Sequence, residues 1–75
     1  MAETYLPNGV IVSIIDNGYG KEHGLYEVAA FVPDRFQGVR YVTRDIWKGE
    51  GNVIGWLSYT HALDFLNDAK KLYRR

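Results

Sequence analysis

Ser58 and His61 stand three residues apart at the start of a helical pattern, the nearest this chain comes to a nucleophile beside a base. That spacing puts both side chains on one side of a helix. Such a pair needs an acid to orient the imidazole and donors to receive an oxyanion, and nothing nearby supplies either obviously. The simpler role for Ser58 is to cap the helix, its oxygen accepting a bond from an orphaned backbone N–H. Glu22 and His23 adjoin each other in a glycine-rich stretch and could offer two metal ligands. A useful site needs three or four ligands in defined geometry, and neither His23 nor His61 has a histidine or cysteine at ligand spacing. The glycines of Asn17-Gly18-Tyr19-Gly20 faintly suggest a phosphate loop. They lie between two strand-like runs rather than before a helix, and no Gly-Lys-Ser/Thr follows. The acidic residues are scattered, and a domain this small with one helix layer has little room for a cleft between paired carboxylates. The expectation is therefore no catalytic residue, no metal and no cofactor.

Binding chemistry is better represented. Aromatic residues make up 15% of the chain and six of them are tyrosines, too many rings for so small a body to bury completely. Tyr and Trp combine an apolar face with a polar tip, and such side chains make interface hot spots. Tyr19, Tyr26, Phe36, Tyr41 and Trp47, spread over strands and loops, are the candidate protein-binding residues; Phe31, Trp56 and Phe65 are expected in the core. Another protein or protein complex is the expected partner, and a second copy could pair through an edge strand. The alternative is nucleic acid. Arg40, Tyr41 and Arg44 interleave charge with an aromatic on a strand, and Lys70, Lys71, Arg74 and Arg75 gather around Tyr73 at the end of the chain's last helix. Stacking plus phosphate pairing on a sheet is a route to single-strand binding. Against it, Arg40 and Tyr41 alternate to opposite faces, and 9 basic residues balance 9 acidic ones. That balance leaves little global electrostatic footprint. Edge-strand charges that discourage aggregation would explain the same arginines.

The elements that must position these groups follow from pattern. Ser58 opens an amphipathic helix over 58–75, with Tyr59, Ala62, Leu63, Leu66, Ala69 and Leu72 or Tyr73 on one face and Phe65 widening it. The terminal cations suit the negative end of the helix dipole. Alone, such a helix is marginal in water, so it must dock. Residues 1–8 read as a lead-in, and Pro7-Asn8-Gly9 as a turn. Residues 10–15 read as a strand with Val10, Val12 and Ile14 on one side and Ile11, Ser13 and Ile15 on the other, apolar enough on both faces to be central and partly covered on each. Asn17-Gly18 begins an extended hairpin tip. Residues 25–32 form the next strand, stopped by Pro33. Residues 39–43 form a third strand that could run on to Trp47; one helical turn over 44–48 capped by Thr43 is the alternative. A break at 49–52 precedes a short strand or extended approach at 53–57.

The 75 residues contain no cysteine. One domain spanning 1–75 is expected, without disulfides and with a single modest core. Short connections favour antiparallel pairing. The fold expected is α+β, a meander of three or four antiparallel strands with one C-terminal helix packed across one face. The other face is then solvated or occupied by a partner. No early apolar run resembles a signal peptide and none is long enough to span a membrane, so a cytoplasmic protein with no membrane partner is expected. In size, neutrality and aromatic content the chain is similar in style to small inhibitors encoded by phages and mobile elements, anti-defence proteins among them. That resemblance implies action by occupying a surface on a host complex.

Overall fold

The structure, a computed structural model, describes residues 2–16, 25–49 and 51–72. The elements run β1 (Ala2–Tyr5), β2 (Ile11–Ile15), β3 (Tyr26–Asp34), β4 (Gly38–Tyr41), α1 (Thr43–Ile46), β5 (Ile54–Leu57) and α2 (Tyr59–Ala69). The class is α+β. The antiparallel sheet has five strands, β1 to β4 forming a meander and β5 pairing with β3. The segment expected as a lead-in is thus an edge strand. Its alternation is too short to register in sequence, and pairing with β2 in the register Thr4↔Val12 and Tyr5↔Ile11 stabilises it.

β3 is the spine. β2 lies along one side, from Ile11↔Phe31 to Ile15↔Glu27. On the other side β4 pairs with its C-terminal half and β5 with its N-terminal half. The chain leaves this edge through α1 and returns to it. Thr43 closes the gap. Fully buried, its hydroxyl oxygen accepts from Ala30 N–H at 2.9 Å and lies 2.7 Å from the Asn52 carbonyl, to which it can donate. A ladder donor that would face an empty position is thereby satisfied. Thr43 is not the cap of α1; Val42 holds that position without a side-chain bond, and the helical turn is real while the strand does not run on to Trp47.

Pro33 does not stop β3, which continues to Asp34. Pairing with β2 ends at Phe31, and Pro33 pairs with Val39 on the other side. Val42 N–H bonds the Ala30 carbonyl, so the alternation makes Val32↔Arg40 the next bonded pair and Pro33↔Val39 a non-bonded one. No ladder donor is missing there. The turn into β4 is built by Asp34, whose Oδ1 accepts from the N–H groups of Phe36 and Gln37, and by Gly38 at φ +85°.

α2 packs across one face. Val10, Val12, Val28, Ala30 and Val42 from the sheet side meet Ala62, Phe65 and Ala69, all essentially inaccessible. Phe65 is the centre of the helix face, not its margin, while Leu63 is exposed. Ser58 caps the helix as expected, accepting from His61 N–H at 3.2 Å. At the other end the cap is remote in sequence. Asn8, in the β1–β2 turn, donates from Nδ2 to the carbonyls of Ala69 and Leu72, both at 2.9 Å, and accepts from Val10 N–H with Oδ1. No helix among the described residues is long and apolar enough to cross a membrane.

Candidate functional site

Residues that pair directly across antiparallel strands share a face. The registers therefore line up Tyr5, Ile11, Phe31 and Tyr41, one from each strand of the meander, in a row across the sheet. Val10, just before β2, and Val12 within it flank Ile11 and face α2, so this row lies on the opposite face. No described element covers it. Tyr5 is 72% exposed and Tyr41 45%. Phe31 and Tyr41 meet edge to face with ring centroids 5.9 Å apart. Ile11, between Tyr5 and Phe31, is nonetheless buried, because its bulky neighbours in the row shield it. Only one side of β2 is covered by another described element, against the expectation of partial cover on both.

The next row is small: Glu3, Ser13 and Ala29. Beyond it lie Ile15 and Glu27. The step from large to small side chains leaves a shallow trough of about 320 Å³, walled by Phe31 and Tyr41 with Ile15 opposite and floored by Ser13 and Ala29. Among the described residues its charged lining is Glu3 and Glu27. The Tyr5 hydroxyl lies 3.4 Å from Glu3 Oε1 and can donate to it.

The other candidate residues are placed differently. Tyr26 packs on Tyr59, centroids 5.4 Å apart, on the helix side of β3. Trp47 is half-buried against Phe65, edge to face at 5.2 Å, and its Nε1 donates to Asp68 Oδ2 at 2.7 Å. Phe36 stands at the tip of the β3–β4 turn, 88% exposed. Tyr19 lies outside the described residues, as do Glu22 and His23. Sequence reasoning missed Tyr5 and Glu3, because the lead-in was not read as a strand. It also placed Trp56 inside, where the structure has it 59% exposed with φ +64° in β5.

Of the candidate cations, Arg40 shares a face with Val32, on the helix side and away from Tyr41. Arg44 and Lys48 border a second, polar depression of about 500 Å³ with Tyr41, Asp45 and Asn52. Lys70 follows α2, and Lys71 pairs with Asp68 at 3.8 Å. Arg74 and Arg75, with Tyr73, lie outside the described residues. The Trp47–Asp68 bond ties α1 to the last turn of α2, so the two cation-bearing segments adjoin. The Ser58 hydroxyl and His61 Nδ1 are 3.2 Å apart, but the same oxygen already accepts the capping N–H. Among the described residues no three His, Cys, Asp or Glu side chains cluster as metal ligands would.

Comparison with protein-family models, with curated proteins and with solved structures finds no match.

Proposed function

We propose that this chain is a non-enzymatic protein-binding module whose working surface is the sheet face opposite α2. One observation carries the reading: the cross-strand row Tyr5, Ile11, Phe31, Tyr41, with both tyrosines exposed. A soluble domain has no packing reason to keep such a row wet, whereas exposed aromatics beside a shallow depression are the usual makings of a hot spot. Backbone pairing sets the row, and aromatic side chains have only two rotatable bonds each, so little side-chain entropy is lost when a partner covers them. A binder of this kind works by occupancy. Inhibition of a larger complex, in the manner of small phage- or mobile-element-encoded inhibitors, is the finer form of the proposal.

The test is capture from lysate with nuclease present, comparing the native chain with a Tyr5→Ser, Tyr41→Ser double variant of matched thermal stability. A protein retained by the first and lost by the second is the expected result. Retention by both would remove this face from the proposal.

A second reading is favoured by the Trp47–Asp68 bond, which joins the segment carrying Arg44 and Lys48 to the end of α2, where Lys70 and Lys71 follow. In that reading the chain is a nucleic-acid-binding accessory, and its capture vanishes with nuclease. Affinity then falls steeply with salt, and charge reversal at Arg44 and Lys48 abolishes it.

A further inference from the structure

We infer that the partner seats a lysine or arginine side chain, flanked by apolar residues, in the trough beside the aromatic row; the inference rests on the protein-binding reading above. Charge complementarity carries it. Among the described residues, the charged groups lining the trough are both carboxylates and no cation shares the lining. Glu3 and Glu27 are two strands and two residues apart, roughly 12 Å between backbones on standard sheet spacings, so they flank the trough rather than crowd one point. Each has a neighbour in the fold. The Tyr5 hydroxyl is within reach of the Glu3 carboxylate, and the Glu27 side chain lies over Gly55, where a Cβ would stand 3.5 Å from its Cγ and 3.8 Å from Oε2. Ser13 and Ala29 keep the floor low enough to admit a long stem, and Phe31 and Tyr41 form the adjoining wall. A Lys or Arg side chain suits every surface there: its methylenes on the small floor, its head between carboxylates, its charge near aromatic rings.

The same charges disfavour other occupants. Two copies meeting face to face would set Glu3 and Glu27 against like charges, a juxtaposition that costs binding energy. Nucleic acid would bring phosphates to the same carboxylates.

The experiment pans a random peptide library against the intact folded chain, then titrates synthetic versions of the enriched peptides by amide-correlation NMR. Enriched peptides carry Lys or Arg between apolar residues, and their binding shifts Ser13, Ala29 and Phe31. Glu27→Gln and Glu3→Gln each weaken binding by roughly tenfold or more, as loss of a charge-assisted contact does. Replacing the peptide's cation by norleucine weakens it comparably. Peptides lacking a basic residue, or indifferent to both glutamine variants, overturn the cation while their loss in Tyr41→Ser leaves the binding face standing. Peptides indifferent to Tyr5→Ser and Tyr41→Ser, or no enrichment at all, overturn both. A dimer in sedimentation that Tyr41→Ser dissociates assigns the face to a second copy and overturns the inference.

Discussion

Asn8→Ala should destabilise this domain far more than a turn residue ordinarily does. The substitution removes the two bonds from Nδ2 to the Ala69 and Leu72 carbonyls and the one that Oδ1 accepts from Val10 N–H. The carbonyls lie at a helix end where water can replace the amide, so each loss is worth about 0.5–1.5 kcal/mol. Val10 is fully buried, and its N–H without a partner costs about 1–3 kcal/mol. Together these give about 2–6 kcal/mol, at roughly 4–8 °C in Tm per kcal/mol for a domain of this size. Asn8→Asp separates the bonds. It keeps the acceptor for Val10 but turns the donor into a carboxylate oxygen facing two carbonyls at the negative end of the helix dipole. At neutral pH it should be at least as destabilising as Asn8→Ala. The new carboxylate has a folded-state pKa raised above its unfolded value, so the folded state binds more protons and stability rises as pH falls. The gap to Asn8→Ala should therefore narrow in acid. Urea unfolding followed by far-UV circular dichroism from neutral pH down to about 4 measures all of this. A cost for Asn8→Ala below about 0.5 kcal/mol, or an Asn8→Asp variant of native stability at neutral pH, would refute the tether.

Two further outcomes follow from the packing. Thr43→Val keeps the shape but orphans the buried Ala30 N–H and removes the donor to the Asn52 carbonyl, and should cost about 2–4 kcal/mol in chemical denaturation. Amide exchange at Ala30 should speed up in the same variant. Trp47→Phe retains a ring against Phe65 but loses the bond to Asp68, and should cost about 1–3 kcal/mol, whereas Asp68→Asn, which keeps an acceptor, should cost less.

Much of this architecture is legible in the residues. The α2 start follows from Ser58 and the apolar spacing after it, because a cap and a helical period are both local signals. The centre of the helix face is not local. Phe65 occupies it because Trp47, eighteen residues earlier, packs edge to face on its ring, and Leu63 is left outside. Proline misled at position 33 because a missing donor matters only where a partner strand waits, and β2 has already ended. Asn8 and Thr43 announce turns or caps by type, yet both bond across the fold to atoms that sequence separation hides. The candidate face divides in the same way. Tyr41 is recognisable as a half-exposed strand tyrosine, whereas Tyr5 and Glu3 join it only through the register of a four-residue edge strand.

The way β4 and β5 share one side of β3 also bears on self-association. On that side the sheet ends in two four-residue strands with α1 between them, and β5 carries a register shift opposite β3. Short, offset strands make a poor template for another chain. Among the described elements the other border is β1, a single strand with its outer side unpaired. Open-ended growth by strand addition needs two borders that complement each other, head to tail. With one serviceable border, copies that add through their strands join β1 to β1 about a two-fold axis, and the assembly closes as a pair instead of extending into a fibre.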